Sequence, residues 1–289
     1  MKSNAYTIGL LLCLLLLCGP VCIAQDKEPL RADWLAKDVE VLERYLPSLK
    51  QNEPITIPAL ETVFETPISD NDLGFGGATF TISKPGGYTH LTVSGFIFNG
   101  NLGYYTIALR GSSSWPMIRT VLIDTWKRTS DLEIAEGKDG IFHDRQFPNV
   151  IADYKKAVAA QLGELSPVDV PRHLKAAYDE LVSLGNFSVV GNGRCGLGGS
   201  TPLGKEAIDA IAKAGRVDLI SNILRGYNPG GRVYAALALF AMQRKGTSLP
   251  PDLQHTMDLV RTSPLSIETC SGCFLTEKTA QEIFNDWHF

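Results

Sequence analysis

The period of the hydrophobic pattern changes twice along this chain, and these changes constrain the fold more than any other feature of the sequence. Between about Pro54 and Pro148 apolar and polar residues alternate, as at residues 78–83 and 90–95. A period of two is typical of strands that bury one face. Before and after this stretch apolar residues recur every three or four positions, which is typical of helices. The sequence therefore predicts an α+β fold, in which a small antiparallel β region is followed by a helical domain of packed helix pairs.

The β region contains signals for several strands. The alternating runs at 90–98 and 104–109 flank a segment rich in glycine and asparagine at 99–103, which predicts a hairpin with a connection longer than the minimal one. Residues 120–123, Thr-Val-Leu-Ile, predict a further strand. Turn signals at roughly ten-residue spacing predict about four to six strands in total.

Helices are predicted on both sides of this region. The predicted helices lie at residues 33–48, 149–163, 172–184, 201–215 and 228–242, near 251–262 and near 277–287. Thr201 and Asn228 each precede a proline, as an N-cap residue precedes the favoured first helical position. Residues 233–242 are apolar on all sides, which predicts a helix inside the helical packing.

Residues 1–24 have the pattern of an export signal. Lys2 precedes an apolar run at 8–17, Gly19 and Pro20 break that run, and Ala24 ends a short site of A-x-A type. The run is shorter than the about 20 apolar residues of a membrane span. We therefore expect an exported protein, periplasmic or extracellular, with no membrane span after signal cleavage, and an uncleaved N-terminal anchor is the alternative.

These patterns divide the chain into four parts. Residues 1–24 are the predicted signal peptide, 25–52 an N-terminal helix and linker, 53–148 the β-rich region and 149–289 the helical domain. The chain has 27 basic and 31 acidic side chains and no basic block, so no nucleic-acid partner is expected.

Outside the predicted signal the chain has three cysteines, Cys195, Cys270 and Cys273. An odd number in an exported protein allows at most one intramolecular disulfide, and Cys195 can pair with either of the others. Cys270 and Cys273 also have the spacing of a redox motif, and three thiols with a histidine can form a zinc site. Export favours oxidation over metal binding, so we predict a structural disulfide and no metal.

The last third of the chain resembles an uncharacterised family of exported bacterial proteins. The resemblance covers about residues 186–289 and rests on a helix start at 198–207, on Gly-Arg-Val-Tyr-Ala at 231–235, and on Ser-Gly-Cys at 271–273. The family has no assigned activity, so the resemblance implies a helical fold and a bacterial envelope location. It also implies that Cys273 is the partner of Cys195, with Cys270 as the alternative.

A glycine-rich match at residues 191–196 has the G-x-G-x-x-G form of a dinucleotide site. The next helix signal comes only at Pro202 and no β-α-β pattern surrounds the match, so we interpret it as a loop between helical layers. The sequence therefore predicts no cofactor.

The densest ionisable cluster is His143, Asp144 and Arg145, which we expect in a loop after the β region. Such a cluster can bind a carboxylate or phosphate, with a bidentate arginine and the histidine as acid or base, or it can be a solvated polar loop. Glu61 and Glu65 have the spacing of an acid/base pair on a helix, although the flanking prolines disfavour a helix at this position. 

Three aromatic residues of the β region, Tyr104, Tyr105 and Trp115, lie near loops rich in glycine or asparagine, or in serine. Exposed rings of this kind stack on sugars, although buried packing is the commoner outcome.

Two functions are consistent with these features. The first is non-enzymatic binding or structural support of an envelope protein or polymer. The alternative is a hydrolase acting on an envelope or extracellular polymer, with a site at the junction of the two regions near the cluster at residues 143–145. A third, thiol exchange, depends on Cys270 and Cys273. Contact of His143 or His90 with a serine, cysteine or carboxylate in a concave cleft would favour the hydrolase.

Overall fold

The computed structural model describes residues 30–49, 56–68, 70–184, 189–196, 199–272 and 274–287. These residues form a mixed α+β fold with a six-stranded antiparallel sheet, which confirms the predicted α+β class. The predicted signal peptide and Cys273 lie outside the described residues. Within the described residues, every helix is too short or too polar to cross a membrane.

Ten helices and nine strands are present in the described part of the chain. The helices are α1 (Ala32–Tyr45), α2 (Ile57–Phe64), α3 (Trp115–Thr129), α4 (Pro148–Leu162), α5 (Lys175–Val182), α6 (Leu203–Lys213), α7 (Val217–Leu224), α8 (Pro229–Arg244), α9 (Pro251–Arg261) and α10 (Ala280–Asp286). The strands are β1 (Asp70–Gly74), β2 (Gly77–Pro85), β3 (Thr89–Phe98), β4 (Asn101–Gly111), β5 (Ala135–Glu136), β6 (Gly140–Gln146), β7 (Val190–Cys195), β8 (Ser266–Gly272) and β9 (Phe274–Thr279). Two short 3-10 helices are also present. Leu46–Ser48 directly follows α1, and Arg172–Leu174 directly precedes α5.

The larger sheet has six antiparallel strands in the order β1-β2-β3-β4-β6-β5. The connection between β3 and β4 is the two-residue turn Asn99-Gly100, so the prediction of a longer connection is wrong. Both residues have positive φ, 48° and 79°, which is the backbone that matches the twist of a tight hairpin. The turn and a one-residue bulge at Gly103 together set the register in which Ser94 faces Thr106.

One face of the six-stranded sheet packs against α1, α2 and α3, and we call it the closed face. Ile107 and Leu109 of β4 lie in a single hydrophobic core with Leu42 of α1 and with Ile118 and Leu122 of α3, and all five are fully buried. Burial of such side chains is the main source of stability in this half of the molecule.

Residues 120–123 belong to α3, so the predicted strand at this position is wrong. Trp115, Ile118, Leu122 and Trp126 are all buried at helical spacing, and they define the face that packs on the sheet. The β-branched residues between them favour a strand locally, but burial of this stripe outweighs that preference.

A buried carboxylate holds the turn between β2 and β3 against α1. Asp38 is fully buried and accepts hydrogen bonds from the backbone N–H groups of Gly87 (2.9 Å), Tyr88 (3.0 Å) and Thr89 (3.0 Å), and from the Thr89 hydroxyl (2.7 Å). A Cβ at Gly87 would lie 2.2 Å from the carbonyl oxygen of Trp34, so this close approach requires glycine.

A second hydrophobic core surrounds α8. As predicted, this helix starts at Asn228-Pro229, where the Asn228 side chain accepts a hydrogen bond from Gly231 N–H (3.1 Å). Most of the helix is buried, although Phe240 is exposed. Helix α6 differs from its prediction, because it begins at Leu203 without a side-chain cap from Thr201.

The C-terminal part also contains a sheet that the sequence did not predict. Strand β7 pairs in parallel with β8, which pairs antiparallel with β9. The glycine-rich match at 191–196 lies mostly within β7 rather than in a loop. The helix predicted near 277 begins only at Ala280, because residues 274–279 pair with β8.

Candidate functional site

The three residues of the predicted ionisable cluster lie in strand β6, so their prediction as loop residues is wrong. Asp144 is opposite Thr106 of β4, and Arg145 is opposite Tyr105. Because successive strand residues point to opposite faces of a sheet, His143 and Arg145 share the closed face, whereas Asp144 lies on the other face. The structure therefore divides the cluster between the two faces.

His143 is only 6% exposed, and its hydrogen bonding fixes its tautomer. Its Nδ1 lies 2.8 Å from the backbone carbonyl oxygen of Glu133, which can only accept, so Nδ1 carries the proton. Its Nε2 is buried without a hydrogen-bond partner, as is the hydroxyl of the neighbouring Tyr105. Burial raises the pKa of Tyr105, and the nearby Arg145 guanidinium opposes part of that rise.

The remaining histidines of the described chain do not complete an acid/base site. His90, His173 and His255 are exposed on β3, on the 3-10 helix before α5 and on α9, and His288 lies outside the described residues. The described hydrogen bonds of His143 include none to a serine, cysteine or carboxylate. Among the described residues no group of three or more histidine, cysteine or acidic side chains can hold a metal ion.

The face opposite the closed face, which we call the open face, carries a row of polar side chains. In the strand register, Thr81 of β2 faces Ser94 of β3, Ser94 faces Thr106 of β4, and Thr106 faces Asp144 of β6. The Thr106 hydroxyl donates to the Asp144 carboxylate at 2.6 Å. Four adjacent strands thus present three hydroxyls and one carboxylate in one line, which we call the hydroxyl row.

The hydroxyl row forms the floor of a concave cleft, which we call the junction cleft because α4 and α5 contribute its walls. Its volume is about 950 Å³, at the upper end of the range of ligand pockets. Tyr104 of β4, Tyr178 of α5 and Tyr227 before α8 line it and are each half-buried. Burial raises the pKa of all three tyrosines, so their hydroxyls remain protonated hydrogen-bond donors.

One charged side chain of each sign faces the junction cleft. Lys155 of α4 has its Nζ 5.3 Å from the ring centroid of Tyr227. Asp144 is the one carboxylate among the described lining residues. Arg145 also borders the cleft, but its side chain lies on the closed face near the Tyr105 hydroxyl.

The three aromatic residues proposed as sugar platforms have different positions. Tyr104 lines the junction cleft, whereas the Tyr105 side chain and Trp115 are almost fully buried on the closed side of the sheet. Tyr178 and Tyr227 were missed by the sequence analysis. Both residues are far along the chain from Tyr104 of β4, so no local sequence pattern could show that the three tyrosine rings meet.

A disulfide joins Cys195 of β7 to Cys270 of β8, with 5.8 Å between their Cα atoms. This pairing is the predicted alternative, and the pairing of Cys195 with Cys273 is not the one formed. Parallel pairing of the two strands places Gly191 opposite Cys270 and Cys195 opposite Gly272, which brings both thiols to the same end of the ladder. Because Cys270 is bonded to Cys195, it is not free to act with Cys273 as a dithiol.

Glu61 and Glu65 have structural roles at the end of α2. The Glu61 carboxylate accepts from the backbone N–H of Ile68 (3.0 Å), and Glu65 forms an ion pair with Arg44 (2.9 Å). They therefore do not face each other as an acid/base pair.

No family model, no curated protein and no solved structure matches this chain. The geometry and chemistry of the junction cleft are therefore the main indication of function.

Proposed function

We propose that this protein is an exported envelope protein that binds a hydroxyl-rich polymer, a glycan strand, in the junction cleft without cleaving it. The observation that carries the proposal is the hydroxyl row, which lies at the floor of a cleft walled by three tyrosines. The proposal also takes the β-rich stretch before Pro148 and the helical stretch after it as the two sides of one binding site.

The lining matches the chemistry of a sugar ring. Threonine and serine hydroxyls and the Asp144 carboxylate can exchange hydrogen bonds with sugar hydroxyls, and hydrogen bonds to a charged group are the stronger ones. Half-buried tyrosine rings offer an apolar face for the C–H side of a pyranose while their hydroxyls stay hydrated or hydrogen-bonded. The volume of about 950 Å³ accommodates more than one sugar ring.

The charged side chains of the cleft narrow the class of glycan. Lys155 can pair with a carboxylate of the strand, and Asp144 can accept hydrogen bonds from its hydroxyls. Cell-wall glycans with lactyl or peptide carboxylates offer both groups.

Export is supported by two observations. Residues 1–24 have the order of a signal peptide, a basic start followed by an apolar run and a small-residue site. The disulfide between Cys195 and Cys270 is of a kind that persists mainly in oxidising compartments. The resemblance of residues 186–289 to exported bacterial proteins agrees with both.

Binding is favoured over hydrolysis by the acidic groups of the cleft. Glycoside hydrolysis commonly needs two carboxyl groups on either side of the scissile bond, and the described lining contains Asp144 alone. No histidine of the described chain lines the cleft. The position of Asp144 at the cleft floor is the feature that favours the alternative, a hydrolase of an envelope polymer.

Calorimetric titration of the purified protein with soluble peptidoglycan glycan strands tests the proposal. We expect saturable binding that is about tenfold weaker in Asp144→Ala, because a hydrogen bond to a charged group is lost. Asp139→Ala is the matched control, since Asp139 is an exposed carboxylate at the start of β6 and does not line the cleft. Neutral dextran should bind more weakly than the acidic strands.

Three results would overturn the proposal. Absence of binding to both polymers would exclude a glycan site, and an equal loss in Asp139→Ala would place binding outside the cleft. Release of new reducing ends from the strands, abolished in Asp144→Ala, would show that the protein is a hydrolase.

A further inference from the structure

We propose that a second cavity, beside Arg232, binds the carboxylate of a small apolar acid such as a medium-chain fatty acid. The cavity has a volume of about 290 Å³ and is lined by residues of α4, α8, α9 and β8. It shares no described lining residue with the junction cleft, so the inference does not depend on the proposed glycan site.

Arg232 is a buried cation without a buried anion beside it. It lies in the first turn of α8, lines the cavity and is 3% exposed. Its guanidinium donates from Nε to the carbonyl oxygen of Gly226 (2.8 Å), from Nη1 to that of Leu73 (2.9 Å) and from Nη2 to the Tyr154 hydroxyl (3.3 Å). All three acceptors are uncharged, and no carboxylate of the described residues lies within 4.0 Å of the guanidinium.

Two other arginines of the C-terminal part are each paired with a carboxylate. Arg225 pairs with Asp252 at 2.9 Å and Arg216 pairs with Asp218 at 2.6 Å, although both arginines are more exposed than Arg232. A buried charge is costly unless it is paired. Burial lowers the pKa of Arg232, and the nearby Tyr154 hydroxyl and Asp72 carboxylate oppose only part of that effect.

The guanidinium has donors left for such an anion. Each terminal nitrogen carries two N–H groups and makes one described hydrogen bond, so one N–H on Nη1 and one on Nη2 remain. A carboxylate can accept from both, and charge-assisted bonds of this kind are strong. The positive end of the α8 dipole, where Pro229 lines the same cavity, further favours an anion.

The rest of the cavity indicates an apolar tail. Leu162, Val233, Val260, Leu265 and Ile267 line it, and all five are buried. A cavity of about 150 Å³ holds benzene, so 290 Å³ accommodates roughly ten to twelve non-hydrogen atoms. An unbranched carboxylate of about eight to ten carbons has that size.

Calorimetric titration with octanoate and with 1-octanol, both below their aggregation concentrations, tests this inference. The two ligands have the same chain length and differ in charge, so we expect octanoate to bind at least about tenfold more tightly. This comparison leaves Arg232 and its three structural hydrogen bonds intact, whereas a substitution of Arg232 could unfold the protein.

A pair of variants locates the site. Leu259 lines the cavity and is 37% exposed, so Leu259→Trp should obstruct it and weaken octanoate binding about tenfold or more. Leu203→Trp is the matched control, because Leu203 is 70% exposed on α6 and does not line the cavity. Equal affinity for octanoate and octanol, no binding of octanoate, or unchanged binding in Leu259→Trp would each overturn the inference.

Discussion

One face of the six-stranded sheet is covered by three helices, whereas the other carries the hydroxyl row and opens into the junction cleft. Adjacent residues of β4 show the contrast, since Tyr105 and Ile107 are buried on the closed face and Thr106 between them lies in the cleft. Both faces are built by the same strands in the same register. The side chains on one face can therefore be changed with little effect on the packing of the other.

This difference indicates where stability and function are located. The closed face is a continuous apolar core, so its residues should determine whether the chain folds. The hydroxyl row buries little apolar surface, so its polar residues are available for a ligand. Substitutions on the two faces should accordingly separate stability from binding.

The largest effect is expected for Leu109→Ala on the closed face. Leu109 is fully buried among β3, β6 and α3 residues, and its truncation leaves a cavity. We expect the free energy of unfolding to fall by about 2–5 kcal/mol in denaturant titration. Leu203→Ala, at an exposed position, should change it by less than about 0.5 kcal/mol. A small effect of Leu109→Ala would mean that the closed face is loosely packed.

The next largest effect is expected for Asp38→Ala, which removes the carboxylate that fixes the β2–β3 turn. Three backbone N–H groups and the Thr89 hydroxyl lose their acceptor, at a cost of about 2–4 kcal/mol in the free energy of unfolding. Asp33→Ala, on the same helix but exposed, should leave the unfolding midpoint unchanged. Equal effects of the two substitutions would mean that the turn does not depend on Asp38.

Local patterns were sufficient to predict the strands of the two faces but not the site that they form. Alternation at 90–95 correctly separates Val93 on the closed face from Ser94 in the cleft. The hydroxyl row, however, depends on strand register, which the tight Asn99-Gly100 turn and the bulge at Gly103 set together. The turn was predicted to be longer, and the bulge was not predicted. A difference of one residue in register would move the side chains to the opposite faces.

Tertiary contacts explain the other places where the structure differs from the sequence prediction. The residues 120–123 favour a strand by local preference, and the buried stripe from Trp115 to Trp126 makes them helical. Tyr178 and Tyr227 reach the cleft only after α5 and the loop before α8 have packed beside the sheet. The polar residues on the cleft floor could therefore be predicted from the strand pattern, whereas the residues of the helical wall could not.

A smaller effect of opposite sign is expected for Tyr105→Phe. The Tyr105 hydroxyl is buried on the closed face without a hydrogen-bond partner, so its removal should stabilise the protein by up to about 1 kcal/mol or leave it unchanged. Tyr154→Phe is the matched control, because the Tyr154 hydroxyl accepts from Arg232 and its loss should destabilise. Thermal unfolding of both variants measures the difference, and destabilisation by Tyr105→Phe would mean that its hydroxyl interacts with Arg145 in the folded state.

The smallest change in stability is expected for Thr106→Val in the hydroxyl row. Valine has nearly the same shape and is favoured in strands, so the free energy of unfolding should change by less than about 1 kcal/mol despite the lost bond to Asp144. Thr92→Val is the matched control, since Thr92 lies on the open face, contacts Ser83 at 3.3 Å and does not line the cleft.

These two variants test the separation of stability and binding directly. Both should unfold at nearly the wild-type denaturant concentration, and only Thr106→Val should weaken binding of soluble peptidoglycan strands, by about tenfold. An equal loss of binding in Thr92→Val would mean that the whole open face, rather than the junction cleft, contacts the polymer. Destabilisation of Thr106→Val by more than about 2 kcal/mol would mean that the hydroxyl row holds the sheet together, and the contrast between the two faces would then fail.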